Sequence, residues 1–330
     1  MIIVRFTSGL GNQMFQYSFY RFLKSLYKDT QVKADLTWFY ANNDHHGYEL
    51  QRIFGAVSDS SFNIEEASKG EIFKATGLIP NIVSSGGAGA AAFEKFRRYP
   101  NRIIREFTQK KREPYIIDQL SGKISNDDAA GAEGGIYNEM YEKVTHLDAS
   151  KDWYIIGFWI EEKYLRGRLE EIRKHFKFPG IMDEHNRELA DEIRACDSVS
   201  IHVRRGDYLS PTYENMFVSL GREYYGRAVD YIKENVSNPK FFIFSDDSDF
   251  ANSEFDWIGN KCVVTGNEGN DSFRDMQLMS MCKHNIIANS TFSQWGALLN
   301  ENEGHITVYP QAYLKNRDNE IKNFEGWVRI

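Results

Sequence analysis

The sequence predicts an α/β fold built on largely parallel, doubly wound sheets, and three observations point to it. The chain opens on a β-loop-α-β pattern with glycines where the first helix begins. From Trp153 onward, short β-branched and aromatic runs alternate with segments of helical period, the pattern of parallel strands linked by crossover helices. The 330 residues, 42% hydrophobic and 14% aromatic, suffice for two domains with real cores.

Residues 1–6 (MIIVRF) are a β-branched apolar run ending in Thr7-Ser8-Gly9-Leu10-Gly11-Asn12, the composition of a tight turn. Phe15, Phe19, Phe22, Leu23 and Leu26 recur at three- and four-residue steps, which puts them on one helical face, and 31–34 supplies the next strand. The middle is less regular, with Gly/Ala-rich stretches at 84–92 and 127–135 that read as flexible loops. Between them, 93–112 carries eight Lys or Arg against two Glu. That run is either a solvated helical face or a candidate for peripheral attachment to an anionic membrane or a lipid-linked acceptor.

Regularity returns with a buried strand at 154–159 and helical segments over 161–175, ending before Pro179. Asp183 can cap a helix reaching Ala195. Strand 199–203, helix 222–236, strands 241–244 and 262–264, helix 273–281, strand 285–288, helix 292–300 and strand 306–309 complete the series. The expected organisation is an N-terminal domain over 1–180, a second over 181–311, and a tail over 312–330 packing back on the first.

A net charge of -7 argues against broad nucleic-acid binding, which needs a basic surface to displace counterions. Cys196, Cys262 and Cys282 lie far apart, without paired or metal-ligand spacing, and read as buried thiols of a reducing compartment. The N-terminus has no signal-peptide pattern and no run approaches a membrane span, so a cytoplasmic location is expected.

Ligands of doubly wound sheets bind beyond the carboxyl ends of the strands, and four such loops are suited to an anion. His202-Val203-Arg204-Arg205-Gly206-Asp207-Tyr208 places two guanidiniums, fixed planar forks matched to a diphosphate, directly after a strand. It also reads as a salt-bridge cluster with Asp207, or as an adhesive Arg-Gly-Asp loop. Ser245-Asp246-Asp247 follows the next strand, and a carboxylate there can accept two hydrogen bonds from a guanine edge. Asp247-Ser248-Asp249 also matches an acid-x-acid metal pattern, and Asp249 could cap a helix. Asn289-Ser290-Thr291-Phe292-Ser293 runs into a helix, where hydroxyls and backbone N–H groups serve either an anion or ordinary capping. Gly9-Leu10-Gly11-Asn12 is a weaker fourth, lacking the third glycine of the dinucleotide fingerprint.

These residues resemble the α-1,2-fucosyltransferases, the bacterial members above all. The resemblance covers most of the chain: GLGNQMFQY at 9–17, HHGYEL at 45–50, GFWIEEKYL at 157–165, HVRRGDY at 202–208, FSDD at 244–247 and DMQLMSMCKHNIIANSTFSQW at 275–295. It implies a GT-B-like α/β architecture, two Rossmann-like domains with a cleft between them, and metal-independent, inverting transfer of L-fucose from GDP-fucose to the 2-hydroxyl of a terminal β-galactoside. It places His202, Arg204 and Arg205 on nucleotide and phosphates, Asp246 on guanine, Ser290, Thr291, Phe292 and Ser293 on the β-phosphate, and Gly11 and Asn12 near the diphosphate. Two departures stand out: Gln294 replaces an aromatic, and Ile160-Glu161 replaces a more polar pair.

Without a metal, Arg204, Arg205 and loop N–H groups must absorb the charge growing on the leaving phosphate. Candidates for the base are His45, Glu49 and Asp207. A carboxylate pinned by guanidinium is a poor base, which favours His45 or Glu49. The competing readings are a metal-dependent glycosyltransferase using Asp247 and Asp249, and a non-enzymatic sugar- or anion-binding module.

Overall fold

The computed structural model describes residues 1–42, 46–77, 115–119, 135–205, 216–315 and 324–330. The chain divides into two compact units, one of residues 1–55 and 61–160, the other of 56–60 and 161–330. Each is built on a parallel sheet, so the expected α/β class with two Rossmann-like domains is what the chain forms. The division falls at Ile160 and Glu161, earlier than the expected residue 180. The expected loops at 84–92 and 127–134 and the basic 93–112 segment lie outside the described residues.

The first unit holds β1 (Ile2–Arg5), β2 (Val32–Asp35), β3 (Ile116–Asp118) and β4 (Trp153–Ile156), ordered β2-β1-β4-β3. All three pairings are parallel. Helix Leu10–Leu26 follows β1. Its burial is not the single stripe the aromatic spacing predicts: Leu10, Met14, Phe15, Tyr17, Phe19, Tyr20 and Leu23 are all buried, whereas Leu26 is exposed. A helix buried nearly all round is an interior element. Helix Lys69–Thr76, which the sequence reading missed, begins with a capping box of Ser68 and Glu71 and ends on left-handed Gly77.

The second unit holds β5 (Ser198–Val203), β6 (Lys240–Ser245), β7 (Lys261–Val263), β8 (His284–Ile286), β9 (Thr307–Tyr309) and β10 (Val328–Arg329), ordered β10-β9-β8-β5-β6-β7. Every pairing is parallel. The chain therefore starts at β5, builds outward to β7, and returns to the other side of β5 to lay down β8, β9 and β10. That reversal makes the β5/β8 boundary a topological switch point, where a crevice opens beyond the carboxyl ends of the strands. Residues 324–330 add β10 to this second sheet, so the described part of the tail does not extend the first.

β5 and β6 are buried on both faces, as parallel central strands must be. Val199, Ile201, Val203, Phe241 and Ile243 pack with Tyr224, Tyr225, Val229 and Ile232 of helix Arg222–Asn235. The alternate residues, Ser200, His202, Phe242 and Phe244, are buried too. There Ser200 is matched within the core: Asn285 Nδ2 donates to Ser200 Oγ at 2.8 Å, and Asn300 Nδ2 donates to Asn285 Oδ1 at 2.8 Å. Among the described residues, no helix is long and apolar enough to cross a membrane.

Candidate active site

Three adjacent strands, β6, β5 and β8, bring three of the loops singled out by sequence to one end of the second sheet. Arg204 and Arg205 follow β5 directly. Arg204 Nη1 lies 2.9 Å from Asp246 Oδ2, and the Arg205 backbone N–H donates to Asp246 Oδ1 at 3.0 Å. Arg205 Nε donates to Asp247 Oδ2 at 3.1 Å, and its guanidinium lies 3.7 Å from the centre of the Phe250 ring. A salt-bridge cluster thus exists in this loop, with Asp246 and Asp247 as its carboxylates. Asp246, expected to face guanine, has both oxygens engaged by the arginine loop, so a guanine edge would have to share it with Arg204. Asp207 and the rest of the Arg-Gly-Asp tripeptide after Arg205 lie outside the described residues, as does His45.

The acid-x-acid segment is also used differently from the expectation. The cap of helix Ser248–Glu254 is Asp247 rather than Asp249, its Oδ1 accepting from Phe250 N at 3.0 Å. With its other oxygen on Arg205, Asp247 is committed on both sides. Among the described residues, no group of three or more potential metal-ligating side chains comes together.

His202, the last inward-facing residue of β5, is 5% exposed and lies beside Phe292, ring centroids 5.7 Å apart. Burial, aided by the Arg204 charge, pushes its imidazole down to about 3. The ring is therefore neutral at physiological pH, and its Nδ1 has no hydrogen-bond partner among the described residues. Beyond β8, Ser290 caps helix Thr291–Leu298 by accepting from Phe292 N at 3.3 Å. Thr291 and Phe292 are half-buried in the first helical turn. Ser293 departs from expectation: its hydroxyl, 1% exposed, accepts from Ala288 N and contacts the Ser290 carbonyl. It ties the loop together, so its position in the first turn leaves only its N–H for an anion.

The first unit carries the remaining candidates. Gly9 caps helix Leu10–Leu26 without a side-chain bond, and Gly11 and Asn12 lie in the first turn. Glu49, 2% exposed, closes this helix end: its carboxyl is hydrogen-bonded by the Leu10 backbone and by Arg52 Nη2 at 2.8 Å. Burial raises it to about 7 against the pull of Arg52. The segment containing Glu49 is fixed by Gln13, whose Oε1 accepts from Glu49 N while Nε2 donates to the Ser8 and Gly47 carbonyls. Gln16 does the same for the neighbouring loops, accepting from Thr7 N and donating to the Gly157 carbonyl.

Sequence reasoning missed both glutamines, whose signal was an amide three residues from another on a helix otherwise rich in aromatics. It also missed Tyr224 and Tyr225. Their hydroxyls donate to the Ile287 carbonyl at 2.6 Å and the His202 carbonyl at 3.0 Å, tying down the ends of β8 and β5 from below the switch point.

Arginines, acids and hydroxyls gathered at the switch point of a parallel sheet make a site compatible with an anionic ligand. The chain belongs to glycosyl transferase family 11, whose model matches residues 129–330, and the motif resemblance to α-1,2-fucosyltransferases is borne out. An Escherichia coli protein named alpha-1,2-colitosyltransferase is 31% identical over all of this chain and 99% of its own length. The Escherichia coli O-antigen biosynthesis glycosyltransferase WbnK is 27% identical over 98% of each chain. The rat galactoside alpha-(1,2)-fucosyltransferase 1 is 27% identical over 53% of this chain and 48% of its own. Among solved structures, fucosyltransferase NodZ from Bradyrhizobium matches at 14% identity and a TM-score of 0.47, over 90% of this chain and 91% of that one. No residue role follows from a likeness so slight.

Proposed function

We propose that this glycosyltransferase moves L-fucose from GDP-β-L-fucose to the 2-hydroxyl of a terminal galactose, with inversion and without a metal ion. The observation that carries the reading is the Arg204-Arg205 loop beyond central strand β5, at the switch point, where guanidinium and a helix N-terminus are both available to a diphosphate. In this reading the galactose O2 forms a bond to fucose C1 as the bond from C1 to the β-phosphate oxygen breaks. GDP leaves with the electron pair, and the hydroxyl proton passes to a base. Arg204 meets the growing phosphate charge. Glu49 is a candidate base: Arg52 holds its carboxyl, but burial outweighs that pull and raises it to about 7, where a general base is effective. Metal independence is supported by the engagement of both Asp247 oxygens by protein donors.

A second donor is favoured by one observation, the 31% identity to an alpha-1,2-colitosyltransferase over the full length. Colitose is L-fucose lacking its 3-hydroxyl, so both sugars make the same phosphate and linkage demands. A single set of incubations separates the readings: GDP-fucose or its 3-deoxy counterpart, with a β-galactoside and EDTA, followed by linkage analysis. An α-1,2-fucosylated galactoside is expected. Preference for the 3-deoxy donor would reassign the sugar, activity requiring added Mn²⁺ would overturn metal independence, and no transfer from either donor would remove the proposal.

A further inference from the structure

The two arginines after β5 are adjacent in sequence but are held in different ways. Arg205 is fixed three times over: its backbone N–H by Asp246, its Nε by Asp247, and its guanidinium face by Phe250. Two of those contacts come from one turn of helix. Asp247 is the N-cap of helix Ser248–Glu254, so the oxygen that binds Phe250 N also sets where the Phe250 ring stands, while its other oxygen holds Arg205. Asp247 is itself anchored, its N–H donating to Ser245 Oγ at the end of β6. A guanidinium bound at Nε by a carboxylate and stacked on a ring has lost most of the freedom it would need to swing toward a ligand.

We propose that Asp247 and Phe250 are positioning residues that clamp Arg205 as a strut, so that Arg205 shapes the loop and Arg204 acts on the leaving phosphate. This rests on the transfer reading above. The clamp gives Asp247 a use that needs no metal: it holds an arginine and starts a helix that delivers the stacking ring three residues on.

The test is a double-mutant cycle on the full chain with Asp247→Asn, Arg205→Ala and the pair together. Turnover with GDP-fucose and GDP affinity by calorimetry are both read. Asparagine is as good an N-cap as aspartate, so Asp247→Asn keeps the helix start and removes the charge that holds Arg205. Each single change is expected to lower kcat about tenfold, and the double variant no further, because both disconnect the same contact. Phe250→Leu, which keeps apolar bulk and removes the ring face, is expected to cost about threefold. Losses that multiply in the double variant, or an Asp247→Asn protein that binds GDP more tightly at unchanged kcat, would show Arg205 to be a ligand group and overturn the clamp. If the wild type transfers nothing from GDP-fucose, the functional reading fails on its own, and the same cycle read in GDP affinity still decides whether Asp247 and Arg205 are coupled.

Discussion

The loop after β5 in the second unit and the glycine turn after β1 in the first occupy the same place in their sheets, yet they are built from different chemistry. The β5 loop is organised by charge: two arginines and two aspartates, each partly open to solvent. The β1 turn is organised by neutral amides, Gln13 and Gln16, both fully buried, which bind the backbone of loops after β1 and β4 and of the segment before Glu49. Charges that remain near water can be exchanged for a charged ligand at modest cost, which suits a site that must take up and release a diphosphate. Buried amides have no such alternative partner, so they fix geometry permanently. The first unit also stores backbone strain at this level. Ser8 and Trp159 both adopt left-handed φ, 67° and 58°, and Trp159 is held there by a flat stack on Phe19 at 4.0 Å.

If this contrast is right, Arg204 is where the largest functional effect lies. Arg204→Ala is expected to lower kcat by about 10²–10³ while the fold survives, because a donor aimed at the leaving group binds the transition state better than the ground state. Arg204→Lys should recover only part of the loss, since an ammonium keeps the charge without the fork. Steady-state kinetics with a β-galactoside, with circular dichroism for folding, checks both, and near-normal kcat in Arg204→Ala would place the phosphate elsewhere.

For the amide-built turn the order reverses, with stability leading. Gln16→Leu strands the Thr7 N–H and the Gly157 carbonyl in the interior, and each orphan costs about 1–3 kcal/mol. Urea denaturation should show a loss of roughly 2–4 kcal/mol. A variant as stable as wild type would mean that the turn does not depend on its buried amides.

The smallest effect on stability, separate from the loss of turnover expected of a candidate base, concerns the Glu49 carboxyl beside that turn. Glu49 is raised to about 7 by burial, so the folded state holds its proton where the unfolded chain has released it. Stability from this group is therefore highest in acid and declines as pH rises from the ordinary carboxyl range through about 7, by up to the order of 3 kcal/mol. Glu49→Gln cannot ionise, and its melting temperature should fall less between pH 5 and pH 8 than that of the wild type. Parallel curves for the two proteins would show that Glu49 ionises freely in the fold.

What the sequence determined by itself was the alternation of elements and the loops that carry charge. Those features are local: β-branched runs, helical periodicity, and the arginines, acids and hydroxyls that follow strands 199–203, 241–244 and 285–288 are legible residue by residue. That the strands pair in parallel follows from that alternation, whereas the place of β5 between β6 and β8 does not. The tertiary structure decided the partners. Which carboxylate faces Arg204, that Asp247 caps and clamps, that the Ser293 hydroxyl turns inward, and that Gln13 and Gln16 are buried all depend on contacts between segments far apart in the chain. Strand β10 was missed for a related reason: two residues are too few to show a period, and Val328 and Arg329 become a strand only because β9 offers them an edge.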